Sequence, residues 1–262
     1  MTSPILVTGG TGRLGRLVVR RLRDAGCNVR VLSRRSHESG EGIEFMTGDL
    51  ATGEGGIEAA VKGVETIVHC TGSPKGDEDK TRNLVRAASR AGAPHLVYIS
   101  VVGAERIPVV SGVDRAMFGY FASKRAAEKV VEYSGLPWTT LRATQFHDAM
   151  LTVAQQMAKL PVIPVPAGFR FQSVDAGEVA ARLVELSLGE PSGLVPDMGG
   201  PRVYGVADLI RGYLRATHRH RLIVPVRLPG KAAHAYRAGG NLAPEHAVGH
   251  RTWEEFLAER VS

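Results

Sequence analysis

Tyr120 and Lys124 stand four residues apart in a segment whose pattern predicts a helix. This spacing places both side chains on one face of a helix. A tyrosine with an ordinary pKa of about 10 is a poor acid or base at neutral pH, but a neighbouring ammonium group stabilises its phenolate and lowers that pKa. The pair therefore predicts that Tyr120 gives a proton to a carbonyl oxygen, while Lys124 stabilises the phenolate and binds a nicotinamide ribose. The alternative is a packed aromatic ring next to a surface lysine.

A glycine-rich turn near the start of the chain is the second chemical feature. Gly9, Gly12 and Gly15 are spaced three residues apart between an apolar run and a helical pattern. The first glycine permits a tight turn, the second lets the backbone approach a phosphate, and the third lets the helix pack closely. The N–H groups at the start of that helix then face the phosphate. The alternative is a turn that binds nothing. The predicted dinucleotide contacts in this turn are Gly9, Thr11, Gly12, Arg13, Leu14 and Gly15.

The residues after the second predicted strand indicate which nicotinamide cofactor is bound. An acidic residue usually stands there when the ribose 2′-hydroxyl is recognised, but this chain has Ser33, Arg34 and Arg35. A guanidinium group is always charged and offers paired donors to a 2′-phosphate. The segment therefore predicts NADP(H) rather than NAD(H), unless both arginines are only solvated loop charges. Further contacts with the adenine, the phosphates and the ribose are predicted for Asp49, Leu50, Thr71 and Gly72.

The composition bounds the class of protein. A chain of 262 residues with 44% hydrophobic content is long enough for one large α/β domain. The net charge is +7, but the arginines are scattered along predicted helices without interleaved aromatics, so we expect no nucleic-acid partner. Cys27 and Cys70 are too few for a disulfide framework or a metal cluster, which fits a reducing cytoplasm and predicts no metal site. No membrane-length apolar run or signal peptide is visible, so we expect a cytoplasmic protein with no membrane partner.

Strands and helices alternate through the first 145 residues, and this alternation places the two features described above. It predicts a Rossmann-type α/β fold, a doubly wound parallel sheet with right-handed crossovers. The predicted strands are 5–8, 28–33, 43–47, 65–70, 95–100 and 138–142. The predicted helices are 13–25, 56–61, 79–91 and 120–134.

The regular alternation of strands and helices ends after residue 146. We predict an NADP(H)-binding domain at 1–146 and a small substrate-binding lobe at 147–262, packed as one unit over the edge of the sheet where ligands bind. Asp175 is a predicted N-cap. The lobe is predicted to contain helices around 150–159, from 174, at 209–216 and at 252–260, a strand at 193–196 that returns to the sheet, a Pro-rich stretch at 161–166 and an irregular basic segment before the last helix.

Several segments together are similar to the motifs of one known superfamily. The chain resembles the short-chain dehydrogenase/reductase superfamily, in its atypical, NmrA-like branch. The matching segments are 8–15, 33–35, 48–50, 120–124, 134–146, 171–175 and 251–257. The resemblance implies NADP(H) binding, a seven-stranded sheet and a substrate lobe formed by the C-terminal segments.

One departure from the superfamily pattern concerns the catalytic serine. Catalytic members carry a serine just after the fifth strand, and Ser100 is the only candidate in that run, because valines stand at the next two positions. The resemblance implies a catalytic set of Ser100, Tyr120 and Lys124 in which the serine is shifted or absent. Ser111 and Ser123 are alternatives. The loop 104–119 is predicted to be long and to fold over the nicotinamide.

The substrate side is predicted from the residues that follow the sixth strand. Phe146, His147 and Met150 predict an apolar pocket wall, with His147 as its polar member. The leading hypothesis is an NADPH-dependent oxidoreductase that reduces a small apolar carbonyl or quinone as a monomer or homodimer. The alternatives are a non-catalytic NADP(H)-sensing regulator and a nucleotide-sugar epimerase or dehydratase, of which the last is disfavoured by Arg34 and Arg35.

Overall fold

The computed structural model describes residues 3–40, 42–73 and 76–261. The chain forms two compact units, each built from three separate stretches. Unit 1 comprises Met1–Ser100, Ser123–Arg142 and Val179–Val195. Unit 2 comprises Val101–Ala122, Ala143–Glu178 and Pro196–Ser262. The division at residue 146 stays a prediction.

The helices and strands alternate along most of the chain. The strands are β1 (Ile5–Thr8), β2 (Val29–Ser33), β3 (Ile43–Asp49), β4 (Glu54–Gly55), β5 (Thr66–His69), β6 (His95–Val101), β7 (Trp138–Ala143), β8 (Val162–Pro166), β9 (Arg170–Phe171), β10 (Gly193–Leu194), β11 (Tyr204–Gly205) and β12 (Leu222–Val226). The helices are α1 (Arg13–Asp24), α2 (Ile57–Val61), α3 (Asp77–Arg90), α4 (Gly112–Glu132), α5 (His147–Met157), α6 (Ala176–Leu188), α7 (Val206–Ala216), α8 (Lys231–Arg237) and α9 (Trp253–Arg260).

The central sheet has the strand order β10-β7-β6-β5-β1-β2-β3-β4. The predicted α/β fold with a mostly parallel sheet is confirmed. Thr8 at the end of β1 lies opposite Leu32 of β2 on one side and His69 of β5 on the other. The strand order reverses at β1, and parallel sheets of this kind bind ligands beyond the carboxyl ends of the strands at that point. The implied count of seven strands is wrong by one, because the two-residue strand β4 pairs antiparallel with β3.

Apolar periodicity explains why unit 1 folds this way. All four residues of β1 and all seven of β6 are buried, as expected for strands of a sheet covered on both faces. Along α1 the buried positions are Leu14, Gly15, Val18, Val19 and Leu22, which form one face of a helix. The helices α2 and α3 contribute Ile57, Val61 and Leu84 to an apolar cluster that also contains Leu6 of β1 and Leu96 of β6.

Unit 2 has its own core, which is richer in aromatic rings. Phe118, Phe169 and Tyr236 pack together there, with ring centroids of Phe169 and Tyr236 4.7 Å apart. Trp253 and Phe256 of α9 stack at 5.7 Å in the same cluster. Two small sheets accompany this core, an antiparallel pair of β9 and β11 and a parallel pair of β8 and β12.

Two sequence expectations in unit 2 are corrected by these elements, and one stretch for which no element is predicted forms a strand. The loop predicted at 104–119 ends early, because α4 begins at Gly112. Ser111 and Asp114 fix that start, since each backbone N–H donates to the other side chain at 3.0 Å. The Pro-rich stretch forms β8, which is possible because proline is tolerated in a strand paired on one side only. The basic segment is not irregular, because it contains β12 and α8.

The predicted cap at α6 agrees with the structure. Asp175 Oδ1 accepts hydrogen bonds from the backbone N–H groups of Gly177 at 2.7 Å and Glu178 at 3.3 Å. The predicted return of the chain to the sheet near residue 193 is also present, as the parallel pairing of β10 with β7. Within residues 3–40, 42–73 and 76–261, no helix combines the length and apolarity needed to cross a bilayer.

A buried ion pair ties α4 to β7 in unit 1. The Arg142 guanidinium donates to both carboxylate oxygens of Glu128, at 2.8 and 2.9 Å, and both side chains are less than one-tenth exposed. Burial acts to raise the pKa of Glu128, but the hydrogen bonds from Arg142 and the nearby charges outweigh it and hold this pKa below the ordinary value. The carboxylate therefore stays ionised at neutral pH.

Replacing Glu128 by alanine leaves the Arg142 charge buried without its partner. We expect the Glu128→Ala substitution to lower the free energy of unfolding by about 3–5 kcal/mol, measured by denaturant titration at neutral pH. Because the pKa of Glu128 is lowered in the folded state, its contribution is present at neutral pH. It is lost as the pH falls below the ordinary value of 4.5 and through the lowered one.

The matched control is Glu185→Ala, which removes one side of the exposed pair of Arg182 and Glu185 on α6. An exposed pair contributes about 0–1 kcal/mol, so this variant should unfold at nearly the denaturant concentration of the parent. Equal losses in the two variants would contradict the stabilising role of the buried pair.

Candidate functional site

The glycine turn between β1 and α1 is shaped by close backbone contacts. Gly9 has a φ of +70°, and its carbonyl oxygen accepts a hydrogen bond from Gly12 N at 2.9 Å. A Cβ atom on Gly15 would lie 2.1 Å from Gly9 O, and one on Gly9 would lie 3.0 Å from the backbone of Cys70 and Thr71. Only glycine therefore fits at Gly15, because α1 packs directly on the turn.

The start of α1 has the properties of an anion site. Gly12 is the N-cap residue, no side chain caps the helix, and no acidic residue stands in its first turn. The first N–H groups of a helix have no partners within the helix and carry the positive end of its dipole. A pyrophosphate group fits this arrangement, since it supplies the acceptors that the side chains do not. Thr11 and Arg13 lie exposed beside it, whereas Leu14 is buried.

The predicted 2′-phosphate residues lie beyond the end of β2, which neighbours β1 in the sheet. Arg34 and Arg35 are exposed, and neither makes an ion pair within the part of the chain that the structure describes. Ser33 is buried, and its hydroxyl accepts from the backbone N–H of Arg35 at 3.2 Å and contacts His37 Nε2 at 3.1 Å. Ser33 thus orders the turn that carries the two guanidinium groups.

Asp49 and Leu50 follow β3 in different surroundings. Asp49 Oδ1 accepts from the backbone N–H of Ala51 at 2.9 Å, which fixes the turn after the strand. Leu50 is 6% exposed and belongs to the apolar core of unit 1. The contact of Leu50 with an adenine ring therefore stays a prediction, and its observed role is packing.

The segment after β5 passes on the other side of β1. Thr71 is half-buried and its hydroxyl lies 3.1 Å from Nε2 of His69, whereas Gly72 is exposed. The His69 ring also contacts the hydroxyls of Thr8 at 2.6 Å and Thr81 at 3.1 Å. Burial lowers the pKa of His69 to about 3, so the ring is neutral at physiological pH and orders this edge of the sheet.

Lys124 is buried in unit 1, with 2% of its side chain exposed. Its ammonium group donates to the carbonyl oxygens of Thr71 at 2.9 Å and Ile99 at 3.1 Å. It also lies 3.3 Å from Tyr98 Oη and 3.4 Å from the Asp77 carboxylate. We call these five residues the Lys124 cluster. The cluster connects α4 with the segment after β5, the end of β6 and the start of α3.

The Lys124 cluster contains opposing electrostatic effects. Burial lowers the pKa of Lys124, and the Asp77 carboxylate counteracts this shift. Asp77 is itself 1% exposed and accepts from both the N–H and the hydroxyl of Ser73 at 2.8 Å. A buried ammonium group is stable only with such a carboxylate and with carbonyl acceptors around it. The cluster therefore holds a positive charge in place beside the segment that carries Thr71.

Sequence reasoning missed Asp77 as the counter-ion of Lys124. Asp77, Glu78 and Asp79 stand together at the start of α3, where acidic residues commonly stabilise the helix dipole. The helix dipole accounts for all three acidic residues alike, so the sequence does not distinguish Asp77 as the one that contacts Lys124. The burial of Asp77 against Lys124 and Ser73 depends on tertiary contacts, and no spacing in the sequence indicates it.

Ser100 lies on β6 with 4% of its surface exposed. Its hydroxyl is buried and makes no hydrogen bond within the part of the chain that the structure describes, although it is one of the groups that lower the pKa of Glu128. These surroundings favour a structural role in the core of unit 1, so the catalytic role of Ser100 stays a prediction without support from the geometry. The direction of its side chain is set by the alternation along β6, which the sequence does not show directly.

Tyr120 belongs to unit 2 and lies one helical turn before Lys124 on α4. Its side chain is 38% exposed, and its ring meets that of Phe121 edge-on with centroids 6.2 Å apart. The spacing of the Tyr–Lys pair on a single helix is thus as predicted. The catalytic assignment stays a prediction.

The three predicted substrate residues lie at the start of α5 in unit 2. Phe146 and Met150 are half-buried. His147 is fully buried, and its ring nitrogens contact Ser173 Oγ and Arg251 O, both at 2.9 Å. Because both nitrogens are engaged, this geometry favours a packing role for His147 over the predicted polar position in a pocket wall.

Comparison with known families identifies the kind of family that the glycine turn predicts. A family described as NAD(P)H-binding matches residues 9–186, a stretch that contains that turn, both arginines after β2 and the Lys124 cluster. The chain belongs to the NAD(P)H-binding family. Its resemblance to the atypical, NmrA-like short-chain dehydrogenases/reductases is confirmed.

Two curated relatives are reductases. The chain is 33% identical over 189 residues to (4-alkanoyl-5-oxo-2,5-dihydrofuran-3-yl)methyl phosphate reductase of Streptomyces griseus, a match covering 71% of this chain. It is 31% identical over 209 residues to ceramide reductase of Caulobacter vibrioides, a match covering 73% of this chain. Both matches span 63% of the relative's own length.

A solved structure shares the fold over nearly the whole chain. This is an NADPH-dependent quinone oxidoreductase from Escherichia coli, complexed with NADPH. It superposes with a TM-score of 0.82 at 18% identity, over 98% of this chain and 100% of that one. The likeness confirms the Rossmann-like architecture predicted from the alternating strands and helices.

The close approach of α1 to the glycine turn yields a direct test. We expect Gly15→Ala to destabilise the protein by about 1–3 kcal/mol, because the added Cβ forces the helix away from Gly9 O. It should also weaken NADPH binding, measured by fluorescence titration of the folded fraction. The control is Gly40→Ala, where a Cβ meets nothing within 4 Å. The packing argument would be refuted if Gly15→Ala were as stable as Gly40→Ala and bound NADPH with the same affinity.

Proposed function

We propose that this protein is an NADPH-dependent oxidoreductase that reduces a small apolar carbonyl compound or quinone. The observation that carries the proposal is the glycine turn after β1 in a member of an NAD(P)H-binding family, together with the two exposed arginines that follow β2, the neighbouring strand. The two curated relatives, both named as reductases, support reduction as the reaction class. We also propose a cytoplasmic location and a monomeric or dimeric state.

The preference for the phosphorylated cofactor is argued from charge. Arg34 and Arg35 stand where a residue that selects the 2′-hydroxyl would be acidic, and a carboxylate there would repel a 2′-phosphate. Both guanidinium groups are exposed and make no ion pair within the described ranges, so their donors face outward. An exposed guanidinium pair is suited to a dianionic group, because it offers parallel N–H donors.

Bound NADPH supplies a hydride to the substrate carbon, or to a quinone oxygen or carbon. The glycine turn and the start of α1 bind the pyrophosphate and thereby orient the nicotinamide half. Tyr120 gives the accompanying proton to the substrate oxygen, so that hydride and proton together yield an alcohol or a hydroquinone. Phe146 and Met150, both half-buried and apolar, support a substrate of low polarity.

Lys124 is proposed to act mainly as a positioning residue. Its ammonium group already donates to Thr71 O and Ile99 O, and it faces the Asp77 carboxylate. It fixes the segment after β5, and its charge favours the phenolate form of Tyr120. Direct contact of Lys124 with the nicotinamide ribose requires it to exchange one of these protein acceptors for a ribose hydroxyl.

Cofactor choice is tested at Arg34. We expect Arg34→Ala to weaken NADPH binding by about 1–3 kcal/mol, the cost of a lost charged hydrogen bond, and to leave NADH binding nearly unchanged. Isothermal titration with both reduced cofactors measures the difference. The control is Arg20→Ala, which removes an exposed arginine from α1. Equal losses for NADPH and NADH in the Arg34 variant would refute the 2′-phosphate assignment.

Turnover is tested at Tyr120. We expect Tyr120→Phe to reduce NADPH oxidation with quinones and carbonyl compounds by at least about a hundredfold, the scale of general acid catalysis, while NADPH affinity is retained. Tyr133→Phe, which alters a tyrosine that is 78% exposed, is the matched control.

Two results would redirect the assignment. If the parent protein oxidises NADPH with no member of a broad carbonyl and quinone panel, yet binds NADPH tightly, the regulatory alternative replaces the enzyme. If the Tyr120 variant turns over as fast as the parent, the proton comes from another group.

A further inference from the structure

The positive charge of the chain is concentrated in one segment of unit 2. Residues 209–244 contain seven lysines and arginines and no aspartate or glutamate. The remaining residues hold 26 basic and 26 acidic side chains, so this segment accounts for the whole net charge of +7. The expectation of scattered arginines is therefore corrected, and cofactor binding in unit 1 does not explain the excess.

Most cations of this segment face solvent without a counter-ion. Arg215, Arg219, Arg221 and Lys231 are exposed, and none of them makes an ion pair within the described part of the chain. Arg211 is exposed as well and pairs with Asp208 at 2.7 Å. The arginines around the end of α7 line a groove of about 630 Å³ together with Leu214 and Leu222. Clustered exposed cations create a field that attracts an anionic partner.

The parallel pair of β8 and β12 adds an apolar surface to this cluster. Leu222 lies opposite Val162, and Val224 lies opposite Pro164, so these side chains share one face. Leu222 is 64% exposed, Val162 is 44% exposed and Val226 is 43% exposed. Parallel strands are normally covered on both faces, which makes an open apolar face of this kind unusual. We call the surface formed by these five residues the β8–β12 face.

Cations stand at both ends of the β8–β12 face. Arg221 directly precedes β12 and Arg227 directly follows it, and both are exposed. Lys159 and His220 line a hollow with Arg221 at the first of these ends. An apolar surface flanked by lysine and arginine matches the boundary between the acyl chains of a bilayer and its anionic headgroups.

We infer that the β8–β12 face binds the surface of an anionic phospholipid membrane. The apolar side chains enter the headgroup boundary, and the flanking cations contact the lipid phosphates. This inference is independent of the proposed reductase activity. It differs from the sequence expectation of no membrane partner, because it concerns adsorption to a surface and involves no spanning helix.

Two other occupants fit the observations less well. A second copy of the chain would bring Arg221 and Arg227 of both copies to one symmetric contact, where like charges repel. Single-stranded nucleic acid is commonly bound by stacking on exposed aromatic rings, but Tyr213 and Tyr236, the aromatic residues of the segment, are both buried. Aliphatic and proline side chains occupy the face instead.

The test is co-sedimentation of the full chain with vesicles. We expect binding to vesicles of phosphatidylcholine mixed with phosphatidylglycerol, weaker binding as salt is added, and none to phosphatidylcholine alone. The double variant Arg219→Glu/Arg221→Glu should lose at least about tenfold in partitioning, because two attractive charges become repulsive. Leu222→Ser/Val224→Ser should also lower partitioning while leaving the net charge intact.

The matched control is Arg86→Glu/Lys129→Glu, which makes the same charge change at exposed positions of α3 and α4. It should bind the mixed vesicles like the parent, and the unfolding midpoint and NADPH affinity of every variant should equal those of the parent. The inference is overturned if the control loses as much vesicle binding as the Arg219/Arg221 variant, or if the parent protein binds neutral vesicles as well as anionic ones. It is also overturned if a short DNA displaces the protein from vesicles, or if the Leu222/Val224 change abolishes a dimer and leaves partitioning unchanged.

Discussion

The buried ammonium group of Lys124 holds together α4, β6, the start of α3 and the segment after β5 in unit 1. Transfer of a charged amine from water into a protein interior costs several kcal/mol unless acceptors and an opposite charge surround it. Lys124 meets that requirement with two backbone carbonyls, a phenol and the Asp77 carboxylate. The carbonyls belong to the segment after β5 and to β6, so the position of α4 depends on the conformation of both. The arrangement holds the part of α4 around Lys124 against the segment after β5 and against β6.

The sequence was sufficient for features that depend on local geometry. The glycine turn is defined by three nearby residues, and Gly15 cannot carry a side chain because its Cβ would overlap Gly9 O. The strands and helices of unit 1 follow from apolar periodicity, and Asp175 was identified as a cap from its place before α6. In each case the information lies within a few residues along the chain.

Features that depend on distant residues were predicted less well. The positions of Ser100 and Leu50 along the sequence predict a chemical role and a binding role, yet both side chains are buried in unit 1. His147 has both ring nitrogens engaged by residues 26 and 104 positions away. The prolines of β8 argue against a strand, because proline has no N–H to donate. Proline is nevertheless tolerated where a strand is paired along one edge only, as β8 is with β12. The burial and contacts of these residues depend on tertiary partners that are distant in the sequence, and the spacing of residues along the chain does not reveal those partners.

The interleaving of the two units along the chain has a consequence for biosynthesis. The last stretch of unit 1 ends at Val195, whereas unit 2 is completed only by Pro196–Ser262. During translation every residue of unit 1 is therefore synthesised before the last stretch of unit 2, which holds more than half of that unit's residues, has been added. Until then the aromatic core of unit 2 lacks Tyr236, Trp253 and Phe256, and its early segments are open to chaperones and proteases. Premature termination after residue 195 would thus release a chain that holds every residue of unit 1 joined to an incomplete, apolar part of unit 2.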